Sequence, residues 1–73
     1  MVEDEGIAKQ ISDLMVEFGG RLDRSVALVK ENCSEDELKT YRRAVGTIIA
    51  EMLFQVMNPL YKRHPGLKPE GLK

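Results

Sequence analysis

Seventy-three residues carrying a formal net charge of −1 make one small domain at most, too short for a two-domain enzyme with a cleft between its halves. Charged residues are 32% of the chain and hydrophobic ones 42%, a balance that excludes wholesale disorder and gives no global field to draw the protein onto nucleic acid or an anionic membrane. The single cysteine, Cys33, and single histidine, His64, exclude an internal disulfide and a Cys/His metal site.

A compact chain of this length buries roughly 60% of the surface that its unfolded form exposes, so association with another chain is the expected supplement to a thin core. The opening Met1-Val2-Glu3-Asp4-Glu5-Gly6 is acidic and lacks the positive flank and apolar run of a secretory signal. With one thiol, the expected location is the reducing cytoplasm.

From Ile7 the apolar residues recur at helical steps of three and four, predicting a first helix over about 4–32. Its seam reads Ile7, Ile11, Leu14, Phe18, Leu22, Ser25 and Val29, a spacing of about 3.67 residues per turn that suits nearly straight packing. Asn32-Cys33-Ser34 ends the run. Ser34-Glu35-Asp36-Glu37 then matches a capping box: the Ser34 hydroxyl accepts from the Glu37 N–H, and the Glu37 carboxylate reaches back to the Ser34 N–H. Three acids in the first turn suit the positive end of the helix dipole.

The second helix is predicted over about 35–57. Leu38, Tyr41, Val45, Ile48, Ile49, Met52, Leu53 and Val56 fill half its circumference, more than one partner helix can cover. Asn58-Pro59 ends or kinks it, since proline disfavours helical geometry in the residue before it, and a further short turn over 59–63 can start at the proline. The Pro/Gly-rich stretch 65–73 reads as an extended tail. The apolar stretch from Ala44 to Leu60 is too short and interrupted to span a membrane.

A two-residue break between helices makes an antiparallel hairpin in which facing residues have numbers summing to about 65. Gly19 and Gly20 then face Gly46, and three glycines at one level point to a close approach of the two backbones, with a break of the first helix at Gly19-Gly20 as the competing reading. The predicted fold is therefore an all-α antiparallel two-helix hairpin that dimerises into a four-helix bundle, with an extended C-terminal tail. Phe18, Leu22, Ile48, Ile49, Met52, Leu53 and Val56 are the expected dimer core.

Candidate chemistry is sparse. Glu51 is the only acid in a long apolar stretch, yet its wheel position is with Thr47, Gln55 and Asn58 on the polar strip. Cys33 has no His or Lys beside it to stabilise a thiolate. His64, between Arg63 and Pro65, is expected to be exposed. No phosphate loop, nucleophile elbow or zinc spacing appears, so neither catalysis nor a cofactor is expected.

Two basic clusters, Lys39/Arg42/Arg43 and Lys62/Arg63, adjoin Tyr41 and Tyr61, the residue types that a nucleic-acid regulator would use. A long apolar second helix argues against a helix-turn-helix reader. Leu67 and Leu72, spaced between prolines, suit docking of the tail on the protein's own bundle or on a partner. The expected function is that of a small homodimer acting through protein contacts, as an adaptor, regulatory partner or assembly subunit. The alternative is a nucleic-acid-associated regulator.

Overall fold

The computed structural model describes residues 1–69. It is all-α: α1 (Glu5–Asn32) and α2 (Glu35–Met52) form the antiparallel hairpin. α2 runs without interruption into a π turn (Leu53–Met57), then into α3 (Asn58–Arg63) and a 3₁₀ turn (Pro65–Leu67). The result is a rod of 44 × 19 × 16 Å, its length set by the 28 residues of α1 at about 1.5 Å each.

Both helix starts are capped by side chains. Asp4 Oδ1 accepts from the Ile7 N–H at 2.9 Å, satisfying one of the orphan donors of the first turn. At α2 the Ser34 hydroxyl accepts from the Glu37 N–H at 3.2 Å. The return half of the capping box differs from expectation: the Glu37 carboxylate accepts the Ser34 hydroxyl itself, at 3.0 Å, instead of the Ser34 N–H. α1 is unbroken through Gly19-Gly20.

Asn58-Pro59 does not end the second rod. Asn58 keeps helical angles, φ −61° and ψ −49°, and its N–H bonds to the Leu53 carbonyl, five residues back. A proline inside an α-helix drives its ring into the carbonyl four residues earlier, and a π turn relieves such a clash by widening the helix with one extra residue. That residue also turns everything after it by about 100°. Tyr61, which a continuous α-helix would carry well away from the line of Val45, Met52 and Val56, is thereby brought to face α1 and is buried beside Leu60.

The core has one dense centre, where Ala8 and Leu60 are fully buried, Tyr61 nearly so, and Val2, Ile11, Met57 and Leu67 pack around them. Val45 is buried separately, in the loop half. The expected α1 seam is displaced as a result: Ile7, Leu14 and Phe18 are exposed, whereas Ala8 and Ser12 are buried and Met15 half-buried. Ala8 and Ser12 are small, and that leaves room for the Leu60 and Tyr61 side chains to press against α1.

The C-terminal stretch also departs from an extended tail. Pro65–Leu67 coils into a 3₁₀ turn and sets Leu67 against the core cluster. Leu72 lies outside the described residues.

Candidate interaction surface

Hydroxyl pairs tie the two rods together at two levels. Ser12 Oγ and Tyr61 OH lie 2.6 Å apart in the buried centre. In the loop half, Ser25 Oγ lies 2.7 Å from Tyr41 OH and donates to the Leu22 carbonyl at 2.6 Å, which leaves the Tyr41 hydroxyl to donate to Ser25. His64 is not exposed as expected: it is half-buried, with Nε2 2.7 Å from the Val2 carbonyl, and so pins the N-terminal strand of chain to the end of α3. Among the described residues no buried side-chain polar atom lacks a partner. These polar contacts are thus spent on structure.

The expected dimer core divides into two groups. Phe18 and Ile48 remain 44% and 43% exposed. Leu22, Ile49, Met52, Leu53 and Val56 are half-buried within the single chain, so the hairpin itself already covers part of them. The glycines do not mark a close approach inside the chain. A methyl group built at Gly19 or Gly46 meets no heavy atom within 4 Å, and one at Gly20 meets only the Arg24 guanidinium at 3.6 Å.

An open groove of about 490 Å³ runs along the outer side of α2, lined by Lys39, Thr40, Arg43, Ala44, Thr47 and Ile48. The Thr40 and Thr47 hydroxyls in it donate to the backbone carbonyls of Asp36 and Arg43, at 3.1 Å each. Lys39 and Arg43 are the charged groups of this lining, and both threonine hydroxyls already donate to backbone, so the convergence of several free groups that fixes a small ligand is missing there. Glu51 is exposed, and Cys33 is an exposed free thiol. Among the described residues no three His, Cys, Asp or Glu side chains gather closely enough to hold a metal ion, and no helix is long and apolar enough to cross a membrane.

What stands out is apolar exposure. Ile7, Leu14, Val16, Phe18, Leu28, Ile48 and Phe54 are each at least 43% exposed, whereas among the described residues only four apolar ones, Ala8, Val45, Leu60 and Tyr61, are buried. Sequence periodicity found the apolar residues but put Ile7, Leu14 and Phe18 on the hairpin's own seam. The signals that would have corrected it were the small side chains of Ala8 and Ser12, one turn apart, which fit a bulky neighbour. No protein-family model, curated protein or solved structure matches the chain.

Proposed function

We propose that this chain works as a homodimer through protein–protein contacts, as an adaptor, a regulatory partner or a subunit of a larger assembly, with no catalytic chemistry of its own. One observation carries the reading. The single chain exposes 5575 Å², whereas a compact monomer of 8.3 kDa exposes about 4,600 Å² by the scaling of surface with mass. The excess goes with a rod of 44 × 19 × 16 Å that leaves large apolar side chains such as Leu14, Phe18, Ile48 and Phe54 at least 43% exposed, surface of the kind that a partner covers. The exposed thiol of Cys33 suits a reducing compartment, and we place the protein in the cytoplasm on that ground.

Sedimentation equilibrium at micromolar concentration tests the assembly. The expected species has twice the chain mass of 8.3 kDa. A folded monomer persisting at that concentration overturns the reading.

A second reading, a nucleic-acid-associated regulator, draws on the basic clusters. Lys39, Arg42, Arg43, Lys62 and Arg63 are all exposed, and among the described residues the single ion pair is Lys9–Asp13, at 3.0 Å. Five cations left to solvent are the raw material of phosphate contacts. A gel-shift series across salt concentration decides it: phosphate binding weakens steeply as salt rises, and absence of any shift at low salt removes this reading.

A further inference from the structure

We infer that the back of α2 and α3, along Lys39, Arg43 and Lys62, is a seat for the phosphate backbone of double-stranded DNA. The inference rests on the nucleic-acid reading above, and it names the surface and the form of nucleic acid; it does not depend on the homodimer.

Val45 is buried and marks the side of α2 that meets α1. Arg43 precedes it by two residues, about 200° of helix, and so faces away from α1. Lys39 lies about one turn before Arg43. Lys62 has no such relation to them in the sequence: it follows Arg43 by 19 residues, which in a plain α-helix leaves it about 100° round from Arg43. The π turn removes that difference. The Asn58 N–H reaches back five residues to the Leu53 carbonyl, so one residue is taken up there, and the remaining 18 make five whole turns. The burial of both Leu60 and Tyr61 agrees with this count, since the pair straddles the line of Val45 once the same residue is discounted. Lys62 comes two residues after Leu60 and faces outward as Arg43 does.

The two basic clusters of the sequence are thereby regrouped. Lys39, Arg43 and Lys62 are exposed on one line, whereas Arg42 and Arg63 each stand about 100° off it. Among the described residues none of the three has a carboxylate within ion-pair distance. Between Arg43 and Lys62 the line is occupied by Thr47, Ala50, Phe54 and Asn58, and the nearest acid, Glu51, is about 80° round. Asp36 is the one carboxylate on the line, and it lies at the outer end, a turn before Lys39.

Spacing selects the occupant. Lys39 and Lys62 are about 33 Å apart along the helix axis, against ~34 Å for one turn of a DNA duplex. A straight rod laid along a duplex meets the same backbone strand once per turn, with a groove between the two crossings. Cations at both ends of the line, and neutral side chains between them, match that alternation. A single strand is held differently, by positive charge along its whole track and by aromatic side chains on which successive bases stack. Here roughly 27 Å of the line carries no charge and one aromatic ring, Phe54.

Fluorescence anisotropy of the full chain with a labelled DNA duplex of about 20 base pairs, two helical turns, tests the line across a salt series, with circular dichroism following the fold. Three phosphate contacts give log K against log salt a slope of about −2.7 for each chain engaged. Lys39→Gln, Arg43→Gln and Lys62→Gln are each expected to reduce that slope by about 1, and Lys30→Gln, on α1, to leave it unchanged. Asp36→Asn is expected to tighten binding severalfold at low salt. Absence of binding at low salt overturns this inference together with the nucleic-acid reading. A slope that survives Arg43→Gln and Lys62→Gln but falls in Arg42→Gln and Arg63→Gln overturns the line and leaves that reading standing. Equal affinity for a single strand of the same length overturns the duplex.

Discussion

The two ends of the rod use the same chemical pair and obtain different results from it. At the end where the termini meet, the Ser12–Tyr61 pair is buried beside Ala8 and Leu60, with the His64–Val2 contact closing over it. In the loop half, the Ser25–Tyr41 pair is half-buried, its apolar neighbours Val26, Val29 and Leu38 are half-buried too, and Val45 alone is buried. Both regions are built from two crossing helices. The first has more: α3 is rotated inward by the π turn, and the 3₁₀ turn and the N-terminal residues lie across it. A third layer makes an interior, and two helices alone make a seam. The loop half and the exposed Phe18–Ile48 side are where a second copy has most to contribute.

The contrast can be broken most forcefully at Leu60. Its side chain is fully buried, and Leu60→Ala is expected to cost about 2–5 kcal/mol, a large part of the stability of so small a domain. Urea denaturation should show the midpoint collapse. A loss under 1 kcal/mol would mean that the closed end is not the stable centre.

The two serines sharpen the same comparison. Ser12→Ala leaves the Tyr61 hydroxyl buried without a partner and is expected to cost about 1–3 kcal/mol. Ser25→Ala leaves Tyr41 near solvent that can replace the lost partner, so about 0.5 kcal/mol is expected. Equal effects in parallel melts would show that the loop half is closed in solution, the state that a seated second copy produces.

The smallest effect has the opposite sign. Gly46 is exposed inside α2, and a Cβ there meets nothing within 4 Å. Gly46→Ala is expected to stabilise the protein by about 1 kcal/mol through helix propensity alone. A destabilised variant would mean that a surface from another chain occupies that space.

Much of the hairpin was legible in the sequence because its signals are local. The three-and-four steps from Ile7 give α1, and Ser34 with Glu37 marks the start of α2 within a few residues of the break. The closed end was not legible, because it depends on a phase change that a uniform helical wheel does not contain. One inserted residue between Leu53 and Met57 moves Leu60 and Tyr61 by about 100°, and Tyr61 then finds Ser12, 49 positions earlier in the chain. His64 was read as exposed for the same reason, since nothing near it in sequence announces the Val2 carbonyl. The apolar line from Ile7 to Phe18 was legible as a line, but which neighbour it meets depends on the volumes of Ala8 and Ser12 across from α3.

The π turn also gives this chain a place where its length can change by one. A relative that has replaced Pro59 and lost one residue of Leu53–Met57 follows a plain α-helical path and still delivers Leu60 and Tyr61 to the same spot. The helix thus carries one residue more than a plain α path needs at Leu53–Met57, and that residue decides which way the Tyr61 hydroxyl points.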